Sequence, residues 1–326
     1  MPRKPKTDPR TYRAPPVETS NMLANSEESL INKMSVVQGN QTTITLRPGR
    51  PADSSVCGRI CSEAFDAIAR QHNFPPDFPS VEAATGLITM LLSDPGFFSV
   101  VAEAGGEVVG SNFLDERSPI AGVGPITVDP KVQNLRIGRR LMQAVLDRAA
   151  ERKFAGVRLL QSAYHSRSLS LYATLGFLPR ESIACMQGAA IGVLPAGYQV
   201  RGAVEADLEA CNRVCAFVHG HDRAGETLDA IKLGTATVVE HDGRVTGYAT
   251  DLGFLAHAVG ETNRDLMALI GAASAFAGPG ILVPLRNGAL FQWCLGNGLR
   301  VVQVMTLMTM GLYNEPAGAY LPSVLY

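Results

Sequence analysis

The stretch that decides the fold is GVGPITVDPKVQNLRIGRRLMQAVLDRAAERKFAGVRLL, residues Gly122–Leu160. Its first part, Val123–Val128, predicts a strand that leads into a short loop. Apolar residues then recur at helical spacing from about Gly138 onward, at Leu141, Val145, Leu146 and Ala149. A second apolar run, Val157–Leu160, predicts the next strand. The stretch therefore predicts a strand–loop–helix–strand unit of an α/β fold.

The loop before this helix predicts a site for a phosphate group. A helix N-terminus presents free backbone N–H groups and the positive end of the helix dipole, and pyrophosphate binds well there. Cationic side chains surround the same turn, at Arg136, Arg139 and Arg140. No G-x-G-x-x-G follows the strand, and no acidic residue follows at the distance of a dinucleotide-binding βαβ unit. A Rossmann-type dinucleotide-binding protein is therefore the weaker alternative.

The composition sets limits on the class of protein. The 326 residues carry 29 Lys and Arg against 30 Asp and Glu, and 46% are apolar. Such a chain can fill two domains with packed cores, and its balanced charge argues against a nucleic-acid-binding protein. Because neither an 18-residue apolar run nor a secretory signal is present, we expect a cytoplasmic protein that does not enter a membrane. Residues 1–40 are polar and aperiodic and predict a disordered tail.

An internal repeat begins after this tail. LRPGRPADSSVCGRICSEAF (Leu46–Phe65) aligns with VRGAVEADLEACNRVCAFVH (Val200–His219) at an offset of 154 residues. In each copy a short strand leads to an Asp at the position of a helix N-cap, and an amphipathic helix follows. The identical pairs are Arg47/Arg201, Ala52/Ala206, Asp53/Asp207, Cys57/Cys211, Arg59/Arg213 and Cys61/Cys215.

Two further segments repeat in the same order. Val100–Gly110 aligns with Thr237–Gly247, and both segments have the pattern of a β-hairpin. Leu175–Gly188 aligns with Asn297–Gly311. We interpret the chain as a duplicated α/β domain, with copies at residues 41–192 and 197–326. The alternative is that unrelated strand–helix units share these identities by chance.

The six cysteines favour core packing over redox or metal chemistry. They are not spaced as C-x-x-C. Disulfide frameworks are typical of short secreted proteins, not of a long chain without an export signal. Buried Cys behaves as a small hydrophobic residue. The six residues are Cys57, Cys61, Cys185, Cys211, Cys215 and Cys294.

The phosphate-loop segment resembles the GNAT superfamily of N-acetyltransferases. The signature of that family is Q/R-x-x-G-x-G/A, usually preceded by V-x-P, and this chain has Val128-Asp129-Pro130, Gln133, Ile137 and Gly138. Arg136 stands where the family has its first glycine. If that position needs a positive φ, a side chain there is costly.

A second family signature follows. HSRSLSLYATLGF (His165–Phe177) resembles the N-x-x-A-x-x-L-Y-x-x-x-G-F segment, with His165 in place of the usual Asn. The resemblance implies an α/β fold, a mixed α+β sheet flanked by helices, with two GNAT-like acyl-CoA N-acyltransferase domains in tandem. It also implies that Tyr172 is the general acid that protonates the departing CoA thiolate. Without this motif, packing of Tyr172 on a helix would be the favoured interpretation.

The resemblance also implies the remaining site residues. Acetyl-CoA would be the co-substrate, with no metal. A carboxylate at Asp115 or Glu116 could bind a cationic acceptor or take its proton through water; the alternative is a solvated turn. The residues expected to bind acetyl-CoA are Ile126, Val128, Gln133, Asn134, Leu135, Arg136, Ile137, Gly138, Arg139 and His165.

The second copy predicts a degenerate domain. The alignment offset falls from 137 after the hairpin to 125 at the following helix, so 12 residues corresponding to the phosphate loop are missing. Cys294 occupies the position of Tyr172. This copy is expected to give structural support or to form a wall of the acceptor pocket. The last stretch, Tyr313–Tyr326, is expected to pack back across the domain interface.

These features together predict an acetyl-CoA-dependent N-acetyltransferase that acts by direct attack in a ternary complex. The expected partner is a small-molecule amine acceptor, and the chain is expected to be a monomer or homodimer without nucleic-acid or membrane partners. The acceptor stays open among small or amino-acid-like amines, antibiotics and protein N-termini. The alternative function is a non-catalytic acyl-CoA-binding or ligand-sensing module.

Overall fold

The computed structural model describes residues 43–133 and 135–326, so the predicted tail at residues 1–40 lies outside the described residues. The chain from Thr42 onward forms one compact unit. In the first copy the elements are β1 (Ile44–Pro48), α1 (Ser54–Gln71), α2 (Val81–Ser93), β2 (Phe97–Ala104), β3 (Glu107–Asp115), β4 (Ile120–Val123), β5 (Thr127–Val128), α3 (Ile137–Glu151), β6 (Gly156–Ser162), α4 (Ser166–Thr174) and β7 (Leu178–Gln187).

The second copy repeats this order in shorter form. Its elements are β8 (Tyr198–Gly202), α5 (Leu208–His219), α6 (Ala224–Leu233), β9 (Thr237–His241), β10 (Arg244–Ala249), β11 (Ala258–Gly260), α7 (Asn263–Ala272), β12 (Ile281–Pro284), α8 (Gly288–Gly296), β13 (Arg300–Gly311) and β14 (Ala319–Leu321). The mixed sheet flanked by helices is the α/β fold that the sequence predicts.

An ion-pair network shows the repeat at atomic detail. Arg47 contacts the carboxylates of Asp53 and Glu103 at 2.7 and 2.6 Å. The aligned residues of the second copy make the same two contacts at 2.6 and 2.7 Å; they are Arg201, Asp207 and Glu240. Glu103 and Glu240 come from the hairpins, so in each copy the network joins the first strand, the helix start and the hairpin.

The repeated Asp stands at the N-cap position of its helix, as predicted, but its side chain does not cap the helix. Asp53 ends a short 3₁₀ turn, and its Oδ2 accepts a hydrogen bond from the backbone N–H of Arg50 at 2.9 Å. Asp207 does the same with the N–H of Val204 at 2.9 Å. Because the carboxylate points back toward the preceding arginine, α1 and α5 begin without a side-chain cap.

Both predicted hairpins form, and their turns explain the residues found there. Gly105 and Gly106 join β2 to β3 with φ of 60° and 88°, and Asp242 and Gly243 join β9 to β10 with φ of 50° and 74°. A two-residue turn that matches the twist of its strands needs a positive φ at both positions, which Gly and Asp tolerate.

The two copies exchange strands in one large sheet. The nine-stranded sheet has the order β1-β2-β3-β4-β6-β13-β7-β12, with β5 pairing with β3, and a second sheet has the order β14-β11-β10-β9-β8. Strand β13 of the second copy lies between β6 and β7 of the first, and β7 lies between β13 and β12 of the second. The boundary at residues 192–197 stays a prediction about the sequence repeat, because the two copies interleave in space.

The exchanged strands β7 and β13 pair with each other in an approximately two-fold symmetric way. Arg300 pairs with Gln187 at one end of β13–β7, and Thr309 pairs with Leu178 at the other. Leu175 aligns with Asn297 at an offset of 122 residues, which makes Leu178 equivalent to Arg300 and Gln187 equivalent to Thr309. Exchanging the two copies therefore converts one pair into the other. Apolar residues of both copies form one core cluster beneath these strands: Leu160, Ile183, Cys185, Leu282, Met305 and Leu307.

The cysteines pack in the core as predicted. All six are buried and carry free thiols. Burial raises the pKa of the Cys57 thiol to about 11 and that of Cys61 to about 12. Both thiols therefore stay protonated at neutral pH and lack the thiolate that redox or metal chemistry needs. Within the described ranges, no helix is both long and apolar enough to span a bilayer.

Candidate active site

The site begins where two neighbouring strands separate. β4 and β6 pair in parallel only from Ile120 to Gly122 on the first strand. The predicted strand Val123–Val128 is interrupted between β4 and β5, because Gly124 has a φ of 133° and Pro125 has no N–H to donate. The chain rejoins the sheet at β5, which pairs with β3. A gap therefore opens between residues 123–128 and the end of β6.

This gap is part of a large cavity with a volume of about 1140 Å³. In the first copy it is lined by the loop before α3, by α4 and by residues 123–128 and 159–162. The α1–α2 loop and residues of the second copy complete the lining. A site of this size can hold an extended ligand together with a second small molecule.

The start of α3 is an open anion-binding position at one end of the cavity. Ile137, Gly138 and Arg139 line the cavity, and the first N–H groups of a helix have no acceptor within it. No side chain caps this helix. The N–H groups and the helix dipole therefore remain available to a phosphate group.

Arg136 sits at the position where the family signature has glycine. Its backbone is left-handed, with φ of 60° and ψ of 16°. In this conformation a residue with a Cβ is destabilised by about 1–2 kcal/mol. The position therefore has the positive φ that the signature glycine would adopt without this cost. The Arg136 side chain is exposed and lines the cavity, where it places a cation beside the open helix end.

The structure brings together most of the predicted acetyl-CoA-binding residues. Leu135 falls elsewhere, because it is 53% exposed and does not line the cavity. Asn134 lies outside the described residues. Arg140 also turns away, because its guanidinium donates to the carbonyl of Ile44 at 2.8 Å. The predicted residues that line the cavity are Ile126, Val128, Gln133, Arg136, Ile137, Gly138, Arg139 and His165.

Tyr172 reaches the cavity from α4. Its side chain is only 7% exposed, and its ring packs edge-on against Phe177 at a centroid distance of 6.2 Å. Burial raises the pKa of Tyr172 above its ordinary value, so the phenol is protonated at neutral pH. His165 stands at the start of the same helix, where burial lowers its pKa and keeps it neutral.

The two carboxylates predicted near the acceptor do not reach the cavity. Asp115 is 6% exposed and accepts two hydrogen bonds from the guanidinium of Arg117, at 2.9 and 2.6 Å, and one from its backbone N–H at 3.0 Å. Glu116 accepts from Arg148 at 2.6 and 3.1 Å. Each carboxylate is neutralised by an arginine, and neither is among the residues that line the cavity.

A different carboxylate faces the cavity. Asp77 lies in the loop between α1 and α2, and Gln303 of β13 donates to its Oδ1 at 3.3 Å. Burial raises the pKa of Asp77. Its only sequence signal is a lone acidic residue within the Pro-rich segment FPPDFP. A loop position of this kind has no periodicity that would point to the cavity.

The second copy forms a wall of the cavity, as predicted. Phe254, Leu255 and Met305 contribute apolar surface, and Val324 and Leu325 of the terminal stretch join them. β14 in the same stretch pairs with β11 of the second sheet. The terminal stretch therefore packs across both copies.

The second copy lacks the open helix end. Only residues 261–262 separate β11 from α7, whereas residues 129–136 separate β5 from α3. The N-terminus of α7 is closed by Asp265, whose Oδ2 accepts from the N–H of Thr262 at 2.8 Å and from its hydroxyl at 2.7 Å. Cys294, at the position of Tyr172, is fully buried. These features agree with the predicted degeneracy of this copy.

No group of three or more His, Cys, Asp or Glu side chains in the described part of the chain is arranged to hold a metal ion. No curated protein matches the chain.

Comparisons with solved structures show the same fold in proteins described as acetyltransferases or GNAT proteins. The chain matches a putative acetyltransferase from Pyrococcus horikoshii with a TM-score of 0.65 and 17% identity, over 86% of this chain and 94% of that one. A GCN5-related N-acetyltransferase from Sphaerobacter thermophilus matches with a TM-score of 0.56 and 16% identity, over 83% and 96% of the two chains. A tandem GNAT protein from the clavulanic acid biosynthesis pathway matches with a TM-score of 0.53 and 14% identity, over 82% of this chain and 98% of that one.

A family model agrees with these matches. Residues 63–177 match the model described as the acetyltransferase (GNAT) family. This range contains the open helix end and Tyr172. Residues 63–177 therefore belong to the GNAT family of acetyltransferases, within a chain that has the fold of a tandem GNAT protein.

Proposed function

We propose that this protein transfers the acetyl group of acetyl-CoA to the primary amine of a small molecule, by direct attack in a ternary complex. The observation that carries this proposal is a cavity lined by the uncapped N-terminus of α3, by the Tyr172 side chain and by the α1–α2 loop. Two substrates can bind there side by side without leaving the cavity.

The residues at the α3 end fit the anionic half of acetyl-CoA. The N–H groups of Ile137, Gly138 and Arg139 would hold the pyrophosphate, and the Arg136 side chain adds a positive charge. Ile126 and Val128 line the gap between β4 and β6, which would hold the pantetheine arm. The thioester would then lie between the strands and α4.

The reaction needs one base and one acid. The amine nitrogen attacks the thioester carbonyl, the C–N bond forms, the C–S bond breaks and CoA leaves as a thiolate. Tyr172 is protonated at neutral pH and would donate its proton to the departing sulfur, whose free thiol has a pKa of about 8.5. Water serves as the base: the ammonium first loses one proton to water and attacks as the neutral amine. The nitrogen loses a second proton as the amide forms, and that proton returns through water to the Tyr172 phenolate.

Calorimetry and a free-thiol assay test this function against its alternative, a non-catalytic acyl-CoA sensor. We expect titration to show acetyl-CoA binding and the assay to show CoA release only when an amine is added. Binding without turnover on any amine would favour the sensor. This alternative is considered because Arg136 replaces the glycine of the family signature. No binding would contradict both functions.

Arg136 allows the backbone strain and the side-chain charge to be separated. Arg136→Ala removes the guanidinium and keeps the strain, whereas Arg136→Gly removes both. In urea unfolding, we expect the Gly variant to be more stable than the Ala variant by about 1 kcal/mol. We expect both to bind acetyl-CoA about fivefold more weakly than the native protein, as for loss of one exposed ionic contact.

Each half of this prediction has its own contradicting result. Equal stability of the two variants would show that the left-handed backbone at Arg136 is not strained in solution. Unchanged acetyl-CoA affinity in both variants would show that the guanidinium does not contact the anion, and that the backbone N–H groups alone bind it.

A further inference from the structure

We propose that the acceptor is an amphiphilic amine, with an apolar body and no acidic group, whose ammonium binds Asp77. This inference rests on the proposed acetyltransferase function and assigns the chemistry of its second substrate. It stands on the distribution of charge in the cavity, on the hydrogen bonds of Asp77 and on the apolar surface around it.

Opposite charges in the cavity come from different elements. Among the described residues that line it, the only carboxylate is Asp77, from the α1–α2 loop. The cationic side chains there, Arg136, Arg139 and Arg167, come from α3, α4 and the residue before α3. The α1–α2 loop therefore presents one negative charge and no positive charge to the cavity. An ammonium finds a partner there, whereas a carboxylate on the substrate would be desolvated without one and repelled by Asp77.

Hydrogen bonds hold Asp77 in place and leave one oxygen for a ligand. Oδ1 accepts from Gln303 Nε2 at 3.3 Å, and Gln303 Oε1 accepts from Ser162 Oγ at 3.2 Å. Within the described residues, no hydrogen bond to Oδ2 is present. Gln303 comes from the exchanged strand β13 and Ser162 from β6, so both copies position the carboxylate.

The surface next to Asp77 is apolar and aromatic. Phe65 and Phe78 pack edge-on at a centroid distance of 5.7 Å, and Leu87 lies beside them in the lining. The second copy supplies Phe254 and Met305 from the other side. A polar or multiply charged body would lose its hydration here without gaining partners, whereas an aliphatic or aromatic body would be stabilised by burial.

A matched set of amines tests the acceptor class. We would compare 2-phenylethylamine with phenylalanine, which has the same body plus a carboxylate, and with 2-aminoethanol, which has no apolar body. In the free-thiol assay, kcat/KM for 2-phenylethylamine is expected to exceed that for each of the other two by about 100-fold, the effect of one unpaired buried charge or one lost apolar body. A kcat/KM for phenylalanine equal to that for 2-phenylethylamine would overturn the proposal.

Asp77→Asn tests the anchor. The variant keeps the shape of the side chain and removes its charge, so KM for 2-phenylethylamine is expected to rise by about 10- to 100-fold, the effect of losing one charge-assisted contact. The affinity for acetyl-CoA should not change. Asp66→Asn is the control, because Asp66 lies on α1 in an ion pair with Arg70 and does not line the cavity. An unchanged KM in the Asp77 variant would overturn the assignment.

Thermal stability separates loss of the anchor from misfolding. Burial raises the pKa of Asp77 in the folded protein above its pKa in the unfolded chain. As the pH rises between these two pKa values, the unfolded chain ionises first, so the free energy of unfolding falls. At pH 7 the neutral Asp77→Asn variant is therefore expected to have a higher Tm than the native protein. A lower Tm would point to a structural role and contradict the anchor.

A binding measurement distinguishes failure of this proposal from failure of the proposed function. We would titrate 2-phenylethylamine and phenylalanine into the complex with CoA, where no transfer is possible. Binding of 2-phenylethylamine alone, lost in Asp77→Asn, supports the acceptor site whether or not turnover is seen. Turnover on 2-aminoethanol or phenylalanine without turnover on 2-phenylethylamine would support the acetyltransferase function and overturn the proposed acceptor class.

Discussion

Replacing Tyr172 with Phe is expected to lower kcat for CoA release by about 10²- to 10⁴-fold, the usual contribution of a positioned general acid. The phenyl ring keeps the edge-on contact with Phe177, so α4 should remain in place. In the proposed complex the hydroxyl would lie at the thioester and not at the phosphate loop, so the Kd for acetyl-CoA should be nearly unchanged. Steady-state kinetics and calorimetric titration of the same preparation measure both quantities.

Tyr198→Phe is the matched control for this variant. Tyr198 lies on β8, stacks on His241 at a centroid distance of 4.2 Å and does not line the cavity. The same hydroxyl is removed there, with no expected effect on kcat. An unchanged kcat in Tyr172→Phe would remove Tyr172 from the role of general acid, and a large loss of acetyl-CoA affinity would show that its hydroxyl acts in binding.

Leu282→Ala is expected to destabilise the whole described chain by about 2–5 kcal/mol. Leu282 lies on β12 of the second copy and is fully buried in a cluster with Ile183 and Met305. Because that cluster contains residues of both copies, the loss cannot be confined to the second one. In differential scanning calorimetry we expect one transition, shifted to lower temperature and not split into two.

An exposed leucine provides the control for the core substitution. Leu233 at the end of α6 is 78% exposed, and Leu233→Ala should change the free energy of unfolding by less than about 0.5 kcal/mol. Two separate transitions in Leu282→Ala, with that of the first copy unmoved, would show that the copies unfold independently in spite of the shared sheet.

The sequence was sufficient to predict the elements whose patterns are local. The helix at Ile137–Glu151 shows a helical repeat of apolar residues, and the hairpin turns carry Gly-Gly and Asp-Gly. The duplication was visible because side chains such as Arg47 and Arg201 make the same contacts in both copies. The resemblance to GNAT proteins, confirmed by the family model, added Tyr172 and the phosphate loop.

The features that the sequence did not reveal depend on tertiary structure. Which strand pairs with β6 is decided by packing, and the pattern of β13 fits its own copy as well as the other one. Asp115 ends β3 and Glu116 follows it, one residue from the expected place, but each is bound by an arginine. Asp77, in contrast, is brought to the cavity by a loop between two helices, and its partner Gln303 is 226 residues away in the chain.

The exchange of strands also governs when the protein can become active during its synthesis. Strand β6, which ends at the cavity, pairs on one side with β13, at residues 300–311. A ribosome that has released only the first copy has therefore made Tyr172 and the phosphate loop but not the strand that holds β6 and β7 together. The nascent chain must keep an unpaired strand edge, a hazard for aggregation, until nearly all of the second copy has emerged. A gene that lost the second copy would thus leave β6 and β7 without the strand that lies between them.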